Sequence, residues 1–118
     1  MSGKIRKIAA NYIFWPGYPL VKNAYLTWKE SGETEIIDTG GEIREIQGLE
    51  FYGGMLVPAY VMQYKHLFDT GRELLSVLEN IYARESASVS GVAIIEGADL
   101  KQMCWRENAD IRVLAGLI

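Results

Sequence analysis

The chain has 118 residues, of which 49% are hydrophobic and 23% charged, with a formal net charge of −3. That length fits one domain able to bury a core without disulfides or metals, and the composition excludes a disordered or collagen-like chain. The small acidic excess weighs against a non-specific nucleic-acid binder. The single cysteine, Cys104, excludes an intramolecular disulfide, and the single histidine, His66, removes the paired imidazoles that most catalytic metal sites use.

Residues 4–14 are rich in β-branched and aromatic side chains. Ile8, Ala10, Tyr12 and Phe14 alternate, which predicts a strand with these four on one face. Trp15-Pro16-Gly17-Tyr18-Pro19 ends it, because two prolines and a glycine do not continue a ladder. Residues 21–29 read as a second strand, with Ala24, Leu26 and Trp28 on one side and Tyr25 and Thr27 on the other. Glu30-Ser31-Gly32-Glu33 predicts a hairpin turn into a third strand at 34–38, ended by Gly40-Gly41. Residues 42–51 mix helical and alternating spacing. A short turn or strand is expected around 43–46 and extended chain from Leu49, with the path of 42–54 left open. Gly53-Gly54 then separates this segment from an apolar run at 55–61, which reads as chain buried on both faces.

The period changes at Thr70. Thr70-Gly71-Arg72-Glu73 matches a capping box. Leu74, Leu75, Leu78, Ile81 and Tyr82 then recur at spacings of three and four, predicting an amphipathic helix at about 70–84. Residues 85–90 read as a polar loop. Strands are expected at 91–96, 100–105 and 111–115, with Arg106-Glu107-Asn108 as the last turn. No run approaches the roughly 20 apolar residues of a bilayer span, and the basic start lacks a continuous apolar core and cleavage site. A cytoplasmic, reducing location is the expectation.

Single residues are weighed the same way. Trp15, Tyr18 and the two prolines read as a rigid strand crossover ahead of a binding knob. Tyr25, Trp28, Tyr52 and Tyr60 read as core or cross-strand aromatics ahead of a ligand site. Glu42, Glu45 and Glu50 read as solvated charges. Cys104, between Met103 and Trp105, reads as a small buried hydrophobe. The glycine pairs lack the strand–loop–helix setting and lysine of a phosphate loop, so they read as turns.

One resemblance spans the chain. Lys7-Ile8-Ala9-Ala10-Asn11-Tyr12-Ile13-Phe14, Val21-Lys22-Asn23-Ala24, Gly41-Glu42-Ile43-Arg44-Glu45-Ile46 and Leu56-Val57-Pro58-Ala59-Tyr60-Val61 resemble, in order, the opening of the amidohydrolase superfamily of metal-dependent hydrolases. Gly91-Val92-Ala93-Ile94-Ile95-Glu96-Gly97-Ala98-Asp99-Leu100 and Arg112-Val113-Leu114 are similar to the end of such chains, in particular of aminofutalosine deaminase-like members. In that family two histidines, one residue apart, bind a catalytic divalent metal at the end of the first barrel strand. The resemblance puts these positions at Tyr64 and His66. Ala59 stands at the family's glycine and Met62 at its asparagine or aspartate. A phenol is a poor ligand for a hydrolytic zinc at neutral pH, and no later histidine exists to complete the set.

Both ends of such a chain are therefore matched with almost nothing between them. A (β/α)₈ barrel takes roughly 250 residues, and only residues 67–90 separate the two matched parts. The resemblance implies the family's composite β-sandwich alone. The expected architecture is mainly β, a composite sandwich or small barrel in one domain, with N-terminal sandwich strands in 1–66, helix and loop in 67–90 and C-terminal strands in 91–118. The helix at about 70–84 is expected to cover the sheet. The expected function is non-catalytic, in protein interaction or structure, with no cofactor, no metal and no catalytic residue. The alternatives are an accessory subunit for a carbon–nitrogen hydrolase whose barrel lies on another chain, and a small-molecule-binding module. Expected partners are a second copy or such a barrel chain, not nucleic acid or a membrane.

Overall fold

The computed structural model describes residues 5–38, 47–85 and 91–116. The described strands are β1 (Ile5–Ile13), β2 (Val21–Lys22), β3 (Ala24–Lys29), β4 (Thr34–Asp38), β5 (Leu49–Pro58), β6 (Val92–Glu96) and β7 (Asp110–Ala115). A 3-10 helix at Ala59–Leu67 and the α-helix α1 at Leu74–Arg84 lie between β5 and β6. The mainly β character read from the sequence is the observed one. The strands form one sheet in the order β4-β3-β1-β5-β6-β7, with β2 alongside β1. Only β1 and β5 run parallel; the other pairs are antiparallel.

This sheet is not flat. Leu114 in β7 lies beside Ala93, which pairs with Val57 far along β5, whereas Arg6 lies just before Lys7, which pairs with Leu49 at the start of β5. At about 3.3 Å per residue the two would stand on the order of 25 Å apart in a flat sheet. Yet Arg6 Nη1 donates to the Leu114 carbonyl at 2.5 Å. The sheet therefore coils until the end of β7 meets the start of β1, and its concave face closes on itself like a sandwich. Ile8, Leu26, Leu56 and Ile94 fill that inner core, with Trp28, Ile36 and Leu114 packed against it.

The opposite face carries a second core. Met55, Val57, Ala93, Ile95 and Ile111 meet Leu74, Val77, Leu78 and Ile81 of α1. These four helix positions follow the i, i+3, i+4, i+7 rule. The covering helix is present, but Val77 replaces Leu75 and Tyr82 in its buried stripe; those two are half-buried on its flank. Among the described residues no helix is long and apolar enough to cross a membrane.

Several local expectations are corrected. The predicted common face of Ile8, Ala10, Tyr12 and Phe14 breaks at Asn11. Ile8, Ala10, Ile13 and Trp15 face the inner core, while Tyr12 and Phe14 face the helix side. The cause is a bulge: two steps on β1, from Ala10 to Tyr12, oppose three on β5, from Tyr52 to Met55. Gly53-Gly54 is thus the middle of a strand and not a break. The Asn11 Oδ1 accepts the Gly54 N–H at 2.8 Å, and a Cβ on Gly54 would sit 2.1 Å from the Ile95 carbonyl oxygen.

The second predicted strand splits at Asn23, which takes φ +59°, a left-handed conformation that asparagine tolerates. The apolar run expected through Val61 leaves the sheet after Pro58. The helix begins at Leu74 and not at Thr70: Glu73 is its extended N-cap, without a side-chain cap. The capping box does not form because Met103 does its work, its carbonyl accepting the Leu74 N–H at 2.7 Å. Residues 100–105 form a tight loop instead of a strand. The Asp99 and Cys104 backbones exchange bonds of 2.9 and 3.0 Å, the Asp99 carboxylate accepts from the Lys101 and Gln102 N–H groups, and Met103 has φ +54°. Cys104 is half-buried, its thiol 3.4 Å from the Gln102 carbonyl. Gly40-Gly41, Glu42, Glu45, the turn around 43–46 and most of the 85–90 loop lie outside the described residues.

Candidate functional site

Three places concentrate chemistry-bearing side chains. The first is the 3-10 helix, where the resemblance puts the metal positions. On a strand, residues i and i+2 point the same way, which is how a histidine–x–histidine pair grips one ion. A 3-10 helix turns by roughly 120° per residue, so i and i+2 diverge. Tyr64 and His66 lie two residues apart across a kink between two such turns. Tyr64 sits at an internal kink (φ −108°, ψ 16°) and donates to Glu85 Oε2 at 3.2 Å. His66 is exposed. Lys65 between them pairs with Asp110 of β7. The two sequence-predicted positions are not brought together.

Around Tyr64 the phenols are held neutral. The bond to Glu85 raises the Tyr64 pKa. Burial, with the nearby Glu85 charge, pushes Tyr60 up to about 12. Tyr60 meets Tyr82 edge-on at 6.2 Å, and Tyr82 packs on Phe14 at 5.5 Å and donates to the Phe14 carbonyl at 2.5 Å. Burial lifts the Tyr82 pKa well above its ordinary value. The Tyr64 and Tyr82 hydroxyls are donors, and with the Tyr60 ring contact they tie the 3-10 helix, α1 and the segment after β1 together.

The second place is a polar chain across the closure of the sheet. Arg6 grips Glu50 with two bonds, 2.9 Å from Nε and 2.6 Å from Nη2, and Tyr52 donates to the same carboxylate at 2.7 Å. Arg112 lies over the Tyr52 ring at 5.9 Å and forks onto Glu96 at 3.1 Å through both nitrogens. The Arg6 bonds pull the Glu50 pKa down, and the Glu50 bond raises that of Tyr52. Glu50, read from sequence as a solvated charge, is the hub of this chain. Its geometry is that of a clasp: every group in it faces an opposite partner.

The third place is a groove of about 720 Å³ between the 14–20 loop and one flank of α1. Leu75, Glu79 and Tyr82 of the helix face Tyr18, Pro19 and Leu20 across it. The spacing of the helix residues is again four and three, a second stripe beside the buried one. Sequence reasoning put Leu75 and Tyr82 in the core and so missed this wall. The signal available was Glu79 lying between them. Of the aromatics weighed as a ligand site, Tyr25 and Trp28 lie on β3, Tyr52 on β5 and Tyr60 on the 3-10 helix; Trp28 and Tyr52 pack against the inner core and Tyr60 against the helix-side core.

No protein-family model, curated protein or solved structure matches this chain. Its site is read from its own residues alone.

Proposed function

We propose that this chain is a non-catalytic protein-interaction domain, the composite sandwich of an amidohydrolase-like lineage without its barrel. The observation that carries this reading is the engagement of the Tyr64 phenol by Glu85 at the kink of the 3-10 helix, with His66 exposed two residues on. A hydrolytic zinc needs about three protein ligands and an open position. The chain has one histidine, and the neighbours of His66 in sequence are a cation paired with Asp110 and a leucine facing the helix core. The side chains around the family's metal positions serve packing and pairing. A helix seals the apolar sheet face that Met55, Val57, Ala93 and Ile95 create, which favours a domain that stands by itself.

The test is elemental analysis of untagged protein purified without chelator, in parallel with His66→Ala. The expected outcome is less than a tenth of an equivalent of any divalent transition metal in both. One equivalent retained by the natural chain and lost from His66→Ala overturns the reading.

A further inference from the structure

We propose that the groove between the 14–20 loop and α1 docks an extended peptide segment in which aliphatic or aromatic side chains alternate with lysine or arginine. This rests on the protein-interaction reading and names the surface and the partner chemistry. The groove is preformed. The Tyr18 N–H is bonded to the Trp15 carbonyl at 3.0 Å, the Phe14 N–H to the Leu56 carbonyl at 3.0 Å, and Tyr82 holds the Phe14 carbonyl from the helix side. With Pro16 and Pro19 restricting the backbone further, the loop loses little freedom on binding, and affinity is not spent on ordering it.

The lining selects the partner. Leu75, Leu20 and Tyr82 supply an apolar floor, and Tyr18 stands 47% exposed at the rim. Among the described residues lining the groove, the charged ones are Glu79 and Glu73, the latter also accepting from the Ser76 hydroxyl at 2.5 Å. On the opposite flank Arg84 of α1 and Arg72, just ahead of the helix, lie beside Leu67, so the acidic character belongs to this side. A cationic side chain laid against the carboxylates also meets the Tyr18 ring, where a cation–π contact is available. Apolar anchors flanked by positive charge therefore complement both components of the surface. Small-molecule sites enclose most of their ligand; this groove is open along its length and suits a chain.

The experiment is binding of the folded, full-length protein to an array of octapeptides in which Lys or Arg alternates with Leu, Ile or Phe, against a matched array with Glu or Asp as the charged residue. The strongest binder is then titrated while backbone amide shifts are followed by NMR. The expected result is saturable binding to the basic array, with shifts centred on Tyr18, Leu75 and Glu79. Both Glu79→Lys and Tyr18→Ser change exposed or rim side chains. Glu79→Lys is expected to weaken the basic peptide at least tenfold and to gain binding to its acidic counterpart; Tyr18→Ser weakens the basic peptide alone. No saturable binding, equal binding of the acidic array, or undiminished affinity in Glu79→Lys overturns the proposal. Those outcomes leave the metal analysis untouched, and retained zinc overturns the non-catalytic reading whatever the array shows.

Discussion

Gly54 shows how one residue decides the path of two strands. Its φ of +137° is outside the range of ordinary side chains, and an added Cβ meets backbone of β6 at 2.1 Å. Gly54→Ala combines backbone strain of about 1–3 kcal/mol with a clash against an atom that cannot step aside. The expected outcome is a melting temperature lowered by roughly 10 °C or more, read by thermal unfolding. Glu50 makes a pH-dependent counterpart. Its pKa is lowered in the folded chain by Arg6, so its contribution is present above the ordinary value of 4.5 and is lost as pH falls through the lower folded value. A third of each partner meets solvent, which keeps the forked pair near about 1 kcal/mol. Glu50→Gln is therefore expected to cost about 1 kcal/mol at pH 7 and progressively less as pH falls below 4.5, measured by denaturant titration of both proteins across that range. In sequence this glutamate looked solvated because its arginine lies forty-four positions away.

At the scale of elements, periodicity was a sound guide wherever one face of an element is buried without interruption. The body of α1 was readable for that reason; residues 34–38 were bounded by their turns, and residues 92–96 were marked by a continuous apolar run buried on both faces. Periodicity failed where a long-range contact replaced a local rule. Asn11 lies opposite a bulge that Gly53-Gly54 makes in β5, so alternation across it misassigned Tyr12 and Phe14. Residues 59–61 continue the apolar run and pass for strand, yet Pro58 ends the ladder and the chain winds into a 3-10 helix. Thr70 and Glu73 have the letters of a capping box, but the Met103 carbonyl reaches the helix N-terminus first. This yields a paired expectation. Thr70→Ala changes stability by less than about 0.5 kcal/mol, whereas Leu78→Ala, at a fully buried position, costs about 2–5 kcal/mol. Equal effects of the two in chemical denaturation would mean that the helix starts at Thr70 after all. Of the groove, the rigidity of residues 15–19 was legible from Pro16, Gly17 and Pro19. The helix wall was not, because Leu75 and Tyr82 carry the same spacing as the true core positions.

For the whole molecule, two cores share one coiled sheet. The inner core joins β1, β3, β5, β6 and β7 through Ile8, Leu26, Leu56, Ile94 and Leu114, and the outer one is closed by α1. The clasp running from Glu96 through Arg112, Tyr52 and Glu50 to Arg6 spans the place where the sheet meets itself. In this arrangement the segment after β5 is a kinked 3-10 helix whose Tyr64 is bonded to Glu85 while His66 is exposed. The most direct test follows the imidazole of His66, the only histidine, by NMR as one equivalent of zinc is added. The account predicts a weak, fast-exchanging shift confined to the ring. A slow-exchange, stoichiometric change shared by His66 and the Tyr64 ring would contradict it.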